Sequence, residues 1–278
     1  MESKRIAAVG GGNMAEAIIR GAVGSGSVTT SGWVVAEPNA DRRAIFADLG
    51  IDTVEHAADL TPHLGPDTQV LLAVKPQKLD EVAASGAELP LDRVVVSILA
   101  GATSTRIRDA FARAGSATAT RMRVVRIMPN TPCGIGEGMT ALCAGAGAAE
   151  SDLSLAETLF GGLGRTVRLD ESLMDAFTAV AGSGPAYLFL LAEAMIEGAR
   201  STGFPEEQAE LIVRQTLAGA SLLLRGSERG AADLRRAVTS PGGTTQAALE
   251  VMTGAGLVRT VADGIVAARD RGRVLSGG

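Results

Sequence analysis

Ile6-Ala7-Ala8-Val9-Gly10-Gly11-Gly12-Asn13-Met14-Ala15-Glu16-Ala17-Ile18-Ile19 is the stretch from which the rest of the chain is read. Residues 5–9 form a short apolar run suited to a buried parallel strand. Gly10, Gly12 and Ala15 then fit Gly-x-Gly-x-x-Gly/Ala at the turn into a helix over 14–24. Such a turn binds a dinucleotide pyrophosphate. The first glycine permits the tight turn, the second lets the backbone approach phosphate, and the small Ala15 lets the helix lie close to the sheet. The helix dipole and its unpaired amides face the anion. Glycine is abundant, 35 of 278 residues, so the spacing alone would be weak; the strand before it and the helix after it supply the context.

Outward from that turn, short apolar runs alternate with helical patterns, the signature of a parallel sheet covered on both faces. Strands are expected at 33–36, 69–74, 94–99, 124–127, 139–143 and 166–169, with helices at 40–49, 104–114 and 151–160. Ser104 is the expected cap of the second of these helices. Ligands of such sheets bind beyond the carboxyl ends of the strands. That rim would gather Gly10, Gly12, Asn13 and Met14; Glu37 and Asn39; Ala73, Val74, Lys75 and Pro76; Ala100 and Gly101; and Met128, Pro129 and Asn130.

From residue 170 the pattern is helical throughout, over 171–181, 185–202, 205–224, 231–238, 243–253 and 257–271. The fold class expected is therefore α/β: an N-terminal Rossmann-type, doubly wound, mostly parallel sheet over 1–169, followed by an all-helical domain over 170–278. The segment 186–195 is apolar nearly all round. It is either the centre of a bundle or an interface with a second subunit, and the small core that about 110 residues offer favours the interface.

Composition narrows the partners. A net charge of −5 without a basic block argues against nucleic acid or an anionic membrane surface. No apolar run reaches the length of a membrane span, and residues 1–5 lead into the first strand without a signal-peptide core, which points to the cytoplasm. Cys133 and Cys143 lack the spacing of a metal cluster or a redox pair and read as two reduced thiols; no metal is expected.

Two helix starts in the second part are unusual: 181–187 (Ala-Gly-Ser-Gly-Pro-Ala-Tyr) and 239–245 (Thr-Ser-Pro-Gly-Gly-Thr-Thr). Both suit ordinary capping. The second is richer than a cap needs, because amides of Gly242, Gly243 and Thr244 with hydroxyls of Ser240, Thr244 and Thr245 make a nest for a small carboxylate.

Together, Gly-Gly-Gly-Asn-Met-Ala, Ala73-Val74-Lys75-Pro76, Arg-Ile-Met-Pro-Asn-Thr-Pro at 126–132 and these two helix starts resemble the pyrroline-5-carboxylate reductases. The resemblance spans essentially the whole chain. It implies reduction of the cyclic imine of L-1-pyrroline-5-carboxylate to L-proline, the last step of proline biosynthesis. It also implies a helical domain interlocking two subunits, with such dimers often gathered into decamers. Thr245 would be the hydrogen-bond partner of the imine, with Ser240, Gly242, Gly243 and Thr244 around the carboxylate. The family leans to NADPH and often accepts NADH.

The absences agree. Both histidines, His56 and His63, and the lysines Lys4, Lys75 and Lys78 lie early, so the helical part offers neither type as a general acid or base. A pyrroline nitrogen that arrives protonated needs only an oriented hydride and a hydrogen-bond partner. Tyr187 reads as packing or as a proton donor, and its reference pKa of about 10 favours packing. Glu37 would bond the ribose hydroxyls of NAD and repel a 2′-phosphate, whereas Asn39, Arg42 and Arg43 could bind that phosphate or form a solvated helix face.

Overall fold

The computed structural model describes residues 5–276, so Lys4 lies outside the described residues. The N-terminal part alternates as its apolar runs dictate: β1 (Ile6–Val9), α1 (Asn13–Gly24), β2 (Trp33–Ala36), α2 (Ala40–Asp48), β3 (Asp52–Val54), β4 (Gln69–Leu72) and α3 (Leu79–Ser85). It continues with β5 (Val94–Ser97), α4 (Ser104–Arg113), β6 (Arg123–Met128), β7 (Gly138–Ala144), α5 (Ser154–Gly161) and β8 (Gly164–Arg168). These eight strands form one sheet in the order β3-β2-β1-β4-β5-β6-β7-β8. All pairs are parallel except β6 with β7.

Because strand side chains alternate, the sheet buries two faces. Ile6 and Ala8 pack with Ile18, Ile19, Trp33, Phe46 and Phe160, while Ala7 and Val9 pack with Leu60, Leu79, Ile107 and Phe111. The switch in direction falls at β1, which has β2 on one side and β4 on the other. Its register sets Val9 level with Ala36 and Leu72, so the turn at Gly10 opens into the crevice where a dinucleotide binds in such sheets.

Three expectations are corrected. β3 is an additional strand, hidden because Asp52-Thr53-Val54 carries no apolar run. α3 is an additional helix of seven residues, too short to show a period. The cap of α4 is Thr103, whose side chain accepts from the Arg106 amide at 3.1 Å, and Ser104 is turned to another partner.

The remainder is helical: α6 (Met174–Phe177), a π-helical turn over Thr178–Gly182, α7 (Gly184–Ser201), α8 (Glu206–Gly226), α9 (Ala231–Ala237), α10 (Thr244–Gly254) and α11 (Leu257–Ser276). The chain forms two compact units. One runs to Ser183 and takes in the chain again from Ala268; the other is Gly184–Ala267. Residues 170–183 thus group with the sheet, to which Glu171 and Ala181 are hydrogen-bonded.

In the second unit α7 pairs with α8, and Ala209 and Val213 are buried there. Leu188, Phe189, Leu190 and Leu191 of α7 remain exposed. By length and composition the helical stretch Glu171–Ser201 is apolar enough to cross a membrane, which corrects the expectation of no such run. Gly182 and Pro185 read as breakers, yet the π turn absorbs the first, and the second lies in the opening turn of α7, where a missing N–H costs little.

Candidate active site

The glycine turn is fixed from both sides. Gly10 has φ +99°, and a Cβ there would lie 2.7 Å from both the Ala73 carbonyl oxygen and Val74 Cγ1, so glycine is required at the crossing of β1 and β4. Gly11 is gripped at both polar atoms. Its N–H donates to Glu37 Oε2 at 2.8 Å, and its carbonyl accepts from Arg42 Nε at 2.8 Å. Gly12 is different, with nothing within 4 Å of the place where a Cβ would stand, so a ligand can approach this backbone closely. Ala15, the third small position, is fully buried in the first turn of α1.

In front of the turn lies a cleft of about 510 Å³. Of the residues expected to hold a dinucleotide, Gly10, Gly12, Glu37, Ala73, Val74 and Lys75 line it. Glu55, His56, Lys78, Glu81 and Ser85 also line it and were not foreseen. Glu55 and His56 follow β3, and Lys78, Glu81 and Ser85 lie on or before α3, so they went unseen with those two elements. Lys78 is paired with Glu81 at 2.6 Å.

Several other expected residues lie outside that lining and have partners of their own. The Asn39 side chain caps α2 by accepting from the Arg42 amide at 3.1 Å. Arg42 adds to its Gly11 bond an ion pair with Glu16 at 3.0 Å and a place over the Phe46 ring. Asn13 and Met14 open α1, and Met14 packs against the core. Pro76 starts a short helical turn, and Ala100 and Gly101 turn the chain after β5, Gly101 with φ +69°.

The loop after β6 is joined to the linker 170–183. Asn130 is buried; its Nδ2 donates to the Ala181 carbonyl at 3.0 Å, and its Oδ1 accepts from the Met139 amide at 3.0 Å. Gly182 packs on Met128, whose Cε would be 2.9 Å from a Cβ there. Nearby, both carboxylate oxygens of Glu171 accept from Ser104, from its amide and its hydroxyl, each at 2.6 Å. Arg126, buried within β6, adds an ion pair at 3.1 Å. Burial would raise the Glu171 pKa, but the Ser104 hydrogen bonds and the Arg126 charge outweigh it and hold the carboxyl below its usual value.

In the helical unit the segment 239–245 does form a helix start. Gly242 has φ +70° and Gly243 is the N-cap of α10, contributing no side chain to the first-turn amides. A residue the sequence reading missed shapes it: Gln246 Oε1 accepts from the Gly242 amide at 2.8 Å, and its Nε2 donates to Glu250 at 2.7 Å. The Gly242 amide is therefore already engaged. Ser240 packs on Gly243, whose amide donates to the Ser240 carbonyl at 3.1 Å. Its signal was the i, i+4 spacing of Gln246 from Gly242 and of Glu250 from Gln246.

The sequence model of the family described as "Pyrroline-5-carboxylate reductase dimerisation" matches residues 171–275, and that described as "NADP oxidoreductase coenzyme F420-dependent" matches residues 5–101. Pyrroline-5-carboxylate reductase from Pisum sativum is 34% identical, the match covering 99% of this chain and 97% of that one. The same-named protein of Haemophilus influenzae is 39% identical over 90% of each chain. The chain belongs to the pyrroline-5-carboxylate reductase family. A solved family structure from Coxiella burnetii superposes with a TM-score of 0.85 at 31% identity, covering 99% of each chain.

Its function is accordingly that of an NAD(P)H-dependent pyrroline-5-carboxylate reductase. The open approach to Gly12, together with a cleft of dinucleotide scale at the switch in strand direction, fits that cofactor. As a family member carrying the dimerisation sequence, the reductase forms oligomers, and α7 leaves Leu188, Leu190 and Leu191 exposed.

Proposed function

We propose that the reductase acts on L-1-pyrroline-5-carboxylate held by its carboxylate at the helix start of 240–245, with Thr245 as the group that orients the imine. The observation that carries this reading is the start of α10, where a glycine cap leaves first-turn amides of Thr244 and Thr245 without a capping side chain, in a segment that carries the hydroxyl residues Ser240, Thr244 and Thr245. Ser240 and Thr244 supply donors to the carboxylate, and Gly243, whose amide is turned to the Ser240 carbonyl, shapes the turn beside it. Gly242 serves indirectly, since its amide is turned to Gln246 and steadies the loop.

The bound cofactor supplies the hydride. The chain's own residues orient and polarise. The Thr245 hydroxyl oxygen accepts from the protonated ring nitrogen and fixes it, and a pyrroline that enters protonated asks for no lysine or histidine, which residues 170–278 lack. The cofactor would run along Gly10, Gly12, Asn13 and Met14, past Ala73, Val74, Lys75 and Pro76, toward Ala100, Gly101, Met128, Pro129 and Asn130. Glu37, Asn39 and Arg42 would stand at its ribose end. On this reading residues 1–169 are the cofactor domain and 170–278 the dimerisation and substrate domain.

The finer assembly we propose is a dimer, with a decamer of five dimers as the form the resemblance implies. We place the reductase in the cytoplasm, and a net charge of −5 without a basic block supports neither nucleic acid nor an anionic membrane surface as partner. Thr245→Val keeps the shape of the side chain and removes the hydroxyl. Turnover should fall at least about tenfold while the melting temperature holds, measured as loss of nicotinamide absorbance with proline as product. Unchanged kinetics in a folded variant would take Thr245 out of the mechanism.

A further inference from the structure

We propose that Glu37 sets cofactor choice in this reductase, and that within NAD(P)H it sets it toward NADH. The inference rests on the dinucleotide reading of the cleft and adds the specificity of its ribose end. Glu37 stands where β2 ends, lines the cleft, and is held there by two backbone donors: Gly11 N–H to Oε2 at 2.8 Å and Asn39 N–H to Oε1 at 3.0 Å. A carboxylate fixed in this way cannot swing aside. Each oxygen spends one lone pair on an amide and keeps another, so the group still accepts from the hydroxyls of an unsubstituted ribose. It has no proton to offer a phosphate, and its charge opposes one.

A 2′-phosphate would draw on the cations at this end, and both nearby arginines already hold protein partners. Arg42 holds the Gly11 carbonyl at 2.8 Å, pairs with Glu16 at 3.0 Å and lies over Phe46. Arg43 donates to the carbonyls of Glu37 and Pro38, both at 2.7 Å, and stands 3.8 Å from Glu55. Moving Arg42 toward a phosphate would release Gly11, the residue whose amide fixes Glu37. Glu55 and Glu81 line the same cleft and add negative charge, with Lys78 already paired to Glu81. Lys75 also lines it, but it follows β4, on the other side of β1 from β2.

The test is calorimetric titration of the full-length protein, without imine, with ADP-ribose and with its 2′-phosphorylated counterpart. ADP-ribose should bind more than about tenfold tighter. Glu37→Gln keeps size and one acceptor and removes the charge, so the ratio should fall toward unity; Arg42→Ala, which also frees Gly11, should not weaken the phosphorylated ligand more than ADP-ribose. Tighter binding of the phosphorylated ligand by the native protein would overturn the proposal, as would a ratio that Glu37→Gln does not change. So would selective loss of the phosphorylated ligand in Arg42→Ala, which would make that arginine its partner. Binding of neither ligand would overturn this proposal together with the dinucleotide cleft, whereas reversed order with sound turnover of the imine would overturn this one alone.

Discussion

Asn130 engages both ends of its side-chain amide within the protein. One end of the amide donates to Ala181 and the other accepts from Met139, both at 3.0 Å, in a buried position. Asn130→Asp keeps the acceptor for Met139 and replaces the donor with a second acceptor facing a carbonyl. The expected loss is about 1–3 kcal/mol of stability, read from denaturant midpoints at neutral pH, with a smaller loss in Asn130→Ala if the charge is what hurts. In the sequence the place of Asn130 after a strand is visible and its two hydrogen bonds are not. Cys143 shows the same limit. Burial, with the Glu171 charge next in effect, pushes its thiol up to about 11, so it stays protonated and inert at neutral pH.

Glu171 ties the first turn of the linker to α4 and β6 through Ser104 and Arg126. Its carboxyl titrates below the usual 4.5 in the folded protein. A depressed carboxylate contributes stability that is present above its unfolded pKa and is lost as pH falls through the folded value. The melting temperature should therefore drop on acidification below about pH 4.5, and the gap between the native protein and Glu171→Gln should close over that range. No change in the gap between pH 7 and pH 3.5 would remove Glu171 as the source. Elements with a strong period or a glycine turn were legible: β1, α1 and the run of strands that makes the sheet. Elements fixed by their neighbours were not. Asp52-Thr53-Val54 becomes a strand only because β2 offers it an edge, and the stretch through Gly182 and Pro185 stays helical because a π turn widens at the first while the second begins a new helix. The carboxylate nest was legible as composition, but the engagement of Gly242 by Gln246 required coordinates.

At the scale of the molecule, the two units differ in how they keep their apolar surface from water. The sheet unit has two faces of buried side chains. In Gly184–Ala267 a groove of about 520 Å³ runs between α7 and α11, lined by Leu190, Leu191, Val261 and Ile265 among others, and its walls are almost wholly apolar. Light scattering should find a dimer or larger assembly across micromolar dilution, and Leu190→Glu should shift it toward monomer. A native protein that is monomeric throughout would defeat the reading. The thinness of that unit's own core carries a kinetic consequence as well. If its helices gain most of their burial from a second copy, refolding must include a second-order step, and the half-time for recovering activity after dilution from denaturant will shorten as the chain concentration rises.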